Sequence, residues 1–143
     1  MPEVLIDANV IIAARNTNAG DHDRAWPIYA GVDGGELPRA RVTNLTVPEV
    51  LHPIQKRARK ELATETLDIL QQSRGFRFVH LPQSVYSDGE RIFRQYDNPE
   101  WTDALLAAYM RSEGLEYIYT FDDDFEEVDE ITRLNSAVNP FDA

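Results

Sequence analysis

Val4-Leu5-Ile6-Asp7-Ala8-Asn9-Val10-Ile11-Ile12-Ala13 decides the fold. Three apolar residues run straight into an aspartate, and an apolar helical stretch follows. A continuous apolar run suits a strand buried on both faces, as in a parallel sheet covered by helices. Asp7 then falls where that strand ends, and open α/β sheets bind ligands at the carboxyl ends of their strands. A carboxylate in apolar surroundings is costly unless a cation, a proton or hydrogen bonds compensate it. Two readings of Asp7 stay open on this stretch alone: a carboxylate facing a cation, and an N-cap of the next helix.

Working outward, the remaining pattern alternates strands with helices. Glu3–Ile6 is the first strand, with a helix from near Asn9. Asp21 caps a helix to about Val32, and Arg41–Thr43 is a short strand. Thr46-Val47-Pro48-Glu49 matches a capping box opening a helix, with Pro48 in the tolerated first turn. Glu61–Gln72 is helical, Phe76–Leu81 extended, Gln83–Tyr96 helical. Thr102 reads as the cap of a helix whose first residue is Asp103, and Gly114 ends it. Tyr117–Thr120 is a strand delivering Phe121-Asp122-Asp123-Asp124-Phe125, Ile131–Leu134 a final edge strand, and Val138–Ala143 a tail. The expectation is one domain over residues 1–143. Its fold class is three-layer α/β/α, with a Rossmann-like, mostly parallel sheet of four to five strands. Trp26, on a helix face with apolar company, is expected in the core.

Composition narrows the chemistry. With no cysteine, disulfides, zinc–thiolate sites and cysteine nucleophiles are excluded. No run of about 18 apolar residues marks a membrane span, and Met1-Pro2-Glu3 does not open a secretory leader; the cytoplasm is the expected compartment. The formal charge of −11 repels nucleic acid at long range. Twelve Arg against two Lys, with acids spread along the chain, points to a salt-rich, halophilic host whose ions screen that repulsion. Both lysines lie in Lys56-Arg57-Ala58-Arg59-Lys60, the only dense basic cluster. It reads as a solvated helix end, or as a phosphate-contacting patch for RNA through Lys56, Arg57, Arg59 and Lys60.

Four acids share an address. Asp7 and Asp122 end buried strands; Glu49 and Asp103 lie in first turns of helices, where an anion also suits the dipole. In a parallel sheet all four converge at the carboxyl edge, and would stay ionised together only around a cation. All-oxygen ligation suits Mg²⁺ or Mn²⁺. Other assignments fail. An EF-hand needs Gly sixth and Glu twelfth after Asp122, where Glu127 and Arg133 stand. An aspartyl phosphatase would show a second Asp where Asn9 stands, and no glycine-rich run precedes a Lys for a P-loop. His22, His52 and His80 have no metal-ligand spacing.

Ile6-Asp7-Ala8-Asn9-Val10, Val47-Pro48-Glu49-Val50, Thr102-Asp103-Ala104-Leu105 and Thr120-Phe121-Asp122-Asp123-Asp124-Phe125 occur in the order and approximate spacing of the PIN domain, and the chain most resembles the VapC-like toxin ribonucleases of VapBC toxin–antitoxin pairs. The resemblance implies a Mg²⁺- or Mn²⁺-dependent endoribonuclease that hydrolyses RNA through an in-line water. Asp7, Glu49, Asp103 and Asp122 would be the catalytic, metal-binding acids, with Asp124 binding directly or through water. Asn9 and Thr120 would hydrogen-bond the ligands or the metal's waters; Asp123, by alternation with Asp122, is expected to face solvent. It also implies a homodimer and an antitoxin partner. The alternative is a non-catalytic PIN-like module that binds RNA or a protein.

Overall fold

The computed structural model describes residues 2–142. Met1, in the stretch read as no leader, and Ala143, the last residue of the tail, lie outside the described residues. Five strands form one sheet in the order β3-β2-β1-β4-β5, every pair parallel. They are β1 (Glu3–Ile6), β2 (Arg39–Thr43), β3 (Phe76–Val79), β4 (Tyr117–Tyr119) and β5 (Thr132–Leu134). The helices are α1 (Ala8–Ala14), α2 (His22–Gly34), α3 (Thr46–Arg57), α4 (Lys60–Gln72), α5 (Tyr86–Gln95) and α6 (Trp101–Glu113). Short 3₁₀ turns, Gln83–Val85 and Asp123–Glu127, precede α5 and follow β4.

Strand alternation sorts the core into two layers. Val4 and Ile6 pack with residues of α1 to α4 on one face. Leu5 and Ile118 pack with α6, Val85 and Ile92 on the other. This is the expected α/β/α sandwich, and β1 at its centre is buried along Val4, Leu5 and Ile6. Gly75 permits close packing at the edge: a Cβ there would lie 1.9 Å from the Val32 carbonyl oxygen.

The chain runs from β1 to β2 and β3 on one side, then crosses to β4 on the other side of β1. The strand order therefore reverses between β1 and β4, the position where such sheets open a crevice. Register pairs Leu5 with Ile118 and Ile6 with Tyr119, so Asp7 and Thr120 emerge side by side.

Three local expectations are corrected. No capping box forms at Thr46–Glu49: the N-cap of α3 is Leu45, which makes no side-chain cap bond. Thr43 Oγ1, 3.3 Å from the Leu45 and Thr46 backbone nitrogens, accepts from both and lies 3.0 Å from the Thr46 hydroxyl. The cap of α6 is Glu100, not Thr102, and Asp103 is the third helical residue rather than the first. Trp26 is 48% exposed, because the buried stripe of α2 runs through Ala25, Ile28, Tyr29 and Val32 and leaves position 26 outside it. The Trp26 ring lies against His22 and Tyr29, at 6.3 and 5.7 Å between centroids. The cluster Lys56–Lys60 bridges two helices. Lys56 and Arg57 close α3, Arg59 caps α4 and Lys60 opens it, all exposed. No helix among the described residues is long and apolar enough to cross a membrane.

Candidate active site

Asp7 leaves β1 with its backbone N–H bonded to the Tyr119 carbonyl at 3.0 Å. Its side chain is 7% exposed. Oδ1 accepts from the Ala8 N–H at 2.8 Å, and Oδ2 accepts from the Thr120 hydroxyl at 2.9 Å. Asp7 therefore caps α1 and also lines a cleft; its two readings coexist in one side chain.

Thr120 is fully buried and acts as a hub. Its Oγ1 donates to Asp7 and accepts from the Asp122 N–H at 3.0 Å and from Asn9 Nδ2 at 3.2 Å. Asn9 Oδ1 in turn accepts from the Phe121 N–H at 3.3 Å. The Asp122 carboxylate accepts from the Asp124 N–H at 2.9 Å, which turns the Asp-rich loop into its 3₁₀ coil. Asn9 and Thr120 thus stitch the ends of β1 and β4 together and fix where the loop carboxylates stand.

The cleft has a volume of about 450 Å³ and is lined by Asp7, Asn9, Ile12, Glu49, Asp103 and Asp122, with Glu100, Trp101 and Thr102 at the start of α6. No Lys or Arg lines it. Asp103, Asp122 and Asp124, all half-buried, each offer a carboxylate oxygen within 4.8 Å of the other two. Asp7 and Glu49 face the same cleft outside that closest trio. Asp123 is exposed, as expected. Glu100 is an acid that the sequence reading missed; assigning the cap of α6 to Thr102 hid it, and the Asn98-Pro99-Glu100 turn was the available cue.

Burial first, and crowding after it, sets the protonation of these groups. Burial, opposed by the bond from the Glu100 N–H at 3.2 Å and reinforced by the charges of Asp7, Asp122 and Asp124, pushes Asp103 up to about 7. Burial raises Asp7 as well; the Thr120 and Ala8 bonds oppose it and the Asp122 charge adds to it. Glu49 is raised by partial burial, then by Asp7 and Glu100. Asp124 is raised by burial, then by its aspartate neighbours and Glu100. These groups repel one another with no cation among the lining residues.

The donor set fits a hard divalent cation. Every ligand atom is a carboxylate oxygen, the kind Mg²⁺ and Mn²⁺ take. Oxygens on opposite sides of Mg²⁺ stand about 4 Å apart, close to the 4.8 Å limit within which the trio lies. A bound cation would also offset the burial and the repulsion that together drive Asp103 toward neutrality.

Solved structures with this fold share its extent. VapC20 of Mycobacterium tuberculosis, a sarcin–ricin loop cleaving toxin, superposes with a TM-score of 0.74 at 22% identity, covering 96% of this chain and 99% of its own. VapBC2 of Rickettsia felis, bound to a fragment of its promoter DNA, gives 0.69 at 13% identity, with 94% and 98% covered. FitAcB of Neisseria gonorrhoeae gives 0.66 at 18% identity, with 92% and 96% covered. No curated protein matches the chain by sequence. The family model of the PIN domain matches residues 4–131, a span that holds β1 from Val4 onward, every cleft acid and the Asp-rich loop, and the chain belongs to the PIN-domain family.

Proposed function

We propose that this protein is a divalent-metal-dependent endoribonuclease, the toxin of a VapBC-type toxin–antitoxin pair. One observation carries the reading: Asp103, Asp122 and Asp124 bring three carboxylate oxygens within 4.8 Å of one another, and the first two line a cleft with Asp7 and Glu49. In this reading Asp103, Asp122 and Asp124 hold a Mg²⁺ or Mn²⁺ ion, and Asp7 and Glu49 complete the set. When bound, the ion neutralises charge on a phosphodiester and lowers the pKa of water. The chain's part is to build and fix the donor set. Thr120 donates to Asp7 Oδ2 and so orients that carboxylate and opposes the burial that raises its pKa. Asn9 and Thr120 lock the loop that carries Asp122 and Asp124. Asp103, which holds a proton near neutral pH when no cation is present, gives it up on metal binding.

Arg57 of the basic cluster supports the RNA reading best. It lines a groove with Arg15, Asn16 and Asn18, and Ile12 belongs to both that groove and the acidic cleft. The VapBC complexes that share the fold support an antitoxin as partner. A homodimer and a salt-rich cytoplasm belong to the same proposal.

The test is incubation with a structured RNA and with a sarcin–ricin loop oligonucleotide, with Mn²⁺ or with chelator, beside Asp7→Asn. Metal-dependent cleavage that falls at least 100-fold in the variant supports the enzyme. Cleavage indifferent to Asp7→Asn comes from a contaminant and sinks it. Tight RNA or peptide binding without cleavage would identify a non-catalytic module instead.

A further inference from the structure

Trp101 opens α6 at the mouth of the acidic cleft, between Glu100 and the site carboxylate Asp103. It is 41% exposed, and Phe93 of α5, its edge-on neighbour, is 45% exposed. Their ring centroids are 5.7 Å apart with planes at 87°. Nothing in the helix start requires a tryptophan at this position, because Glu100 and Asp103 already satisfy the first turn. Two large aromatics left in water beside a functional cleft mark a contact surface.

Electrostatics narrow what that surface contacts. The protein carries a formal charge of −11, and the cleft is lined by acids with no Lys or Arg. A polyanionic substrate is therefore repelled at range, and a cation in the cleft attracts only the phosphate beside it. Outside the groove of Arg15 and Arg57, affinity at the cleft itself must come from short-range contacts that do not depend on charge. Base–aromatic stacking is such a contact, tolerant of sequence and effective where salt screens ion pairs. Trp101 is the one aromatic side chain among the lining residues.

We propose that Trp101, held edge-on by Phe93, stacks an unpaired nucleobase next to the phosphate that enters the acidic cleft. Bases inside an A-form duplex are already stacked and cannot reach the ring. The proposal rests on the nuclease reading for the identity of the substrate and on the cleft geometry for its location.

The chain has two tryptophans, so Trp26→Phe leaves Trp101 as the sole indole reporter. In that background, with Asp7→Asn and Mn²⁺ present, an unstructured oligoribonucleotide should quench the fluorescence and a blunt duplex of the same sequence should not. Trp101→Ala should weaken single-strand binding roughly 5- to 150-fold, the range of one stacked base, and Trp101→Phe should retain most of the affinity. An abasic nucleotide scanned along the oligonucleotide should reproduce the loss at one position. There Trp101→Ala and the abasic site together should cost no more than either alone. Additive losses, or equal binding by Trp101→Ala, would overturn the proposal. So would dissociation of a dimer by Trp101→Ala with RNA affinity intact, which would make the aromatic pair a subunit contact. Cleavage by the otherwise native Trp26→Phe protein, read in parallel, separates the two ideas. Cleavage without stacking leaves the nuclease and removes the platform; stacking without cleavage under any divalent ion does the reverse.

Discussion

The two edges of the sheet use carboxylates in opposite ways. At the amino edge Glu3, the first residue of β1, faces Arg41 at 2.7 Å, Arg77 at 3.0 Å and Arg39 at 3.9 Å. Arg41 reaches on to Glu113 at 2.7 Å and to the Tyr109 hydroxyl at 3.0 Å. Burial alone would raise Glu3, but the Arg41 and Arg77 guanidiniums outweigh it and lower its pKa. At the carboxyl edge, burial and mutual repulsion raise Asp7, Glu49, Asp103 and Asp124 with no arginine to oppose them. One edge is neutralised from within the chain and ties β1, β2, β3 and α6 together. The other has no arginine or lysine among its lining residues to offset its acids, an arrangement that costs stability and marks a candidate functional site.

The largest effect on stability is expected from breaking the satisfied edge. The Arg41 side chain is 13% exposed and Glu3 11%. Arg41→Met strands Glu3 and Tyr109 in partly dry surroundings, although Arg77 still pairs with Glu3. Removing one partner of a buried ion pair costs about 3 kcal/mol, read as a lower urea midpoint with an unchanged slope. A loss below about 1 kcal/mol would show that the edge is solvated and that the contrast is overstated.

Next comes the opposite pH dependence of the edges. Asp103 is raised to about 7 in the fold from 3.8. Between those values the metal-free native state holds a proton that the unfolded chain has lost, so stability falls as pH rises from about 4 to about 7. The loss is on the order of 2 kcal/mol once discounted for coupling among the acids. Glu3 has the reverse sign: its lowered pKa contributes stability above its unfolded value of 4.5 that is lost as pH drops through the folded value. The melting temperature of metal-free protein should therefore fall toward neutral pH. Saturating Mn²⁺ or Asp103→Asn should flatten that slope. A slope that survives Asp103→Asn would place its origin elsewhere.

The contrast between edges also marks how far sequence reading reaches. The apolar run Val4–Ile6 ending in Asp7, and Tyr117–Thr120 leading into Asp122, expose both the buried strands and the acids at their ends. Period and terminus carry that information locally. The Asp7–Thr120 bond joins residues 113 apart in the chain; parallel pairing of β1 with β4 creates it, and no local pattern encodes that register. Glu100 escaped because helix starts shift by two residues with little change in pattern. Trp26 was misplaced because a helix face one position off the buried stripe has similar apolar neighbours. The arginines around Glu3 come from β2 and β3 and meet it only once strand order is known.

Thr120→Val tests whether the carboxyl edge is held by its hub. The substitution keeps shape and removes the donor to Asp7 Oδ2 and the acceptor for the Asp122 N–H and Asn9. Leaving buried partners unpaired costs about 1.5 kcal/mol, and metal affinity should drop with it, while Thr120→Ser should recover both. Equal metal binding by Thr120→Val would mean that the cleft acids hold their places without the hub.

The smallest effect separates the members of the basic cluster. If RNA leaves the cleft past Ile12 into the groove lined by Arg15 and Arg57, Arg57→Gln removes one phosphate contact. Each such contact with a single strand contributes about 0.7 to the slope of log affinity against log salt, so the slope should flatten by about that amount. Lys60→Gln, at the exposed start of α4 and outside that groove, should leave the slope unchanged. Equal flattening by both would make the cluster a diffuse positive field, in which position along the groove does not matter. Flattening by neither would return Arg57 and Lys60 to the solvated face of the helix junction and leave the acidic cleft and its aromatic rim as the proposed RNA contact.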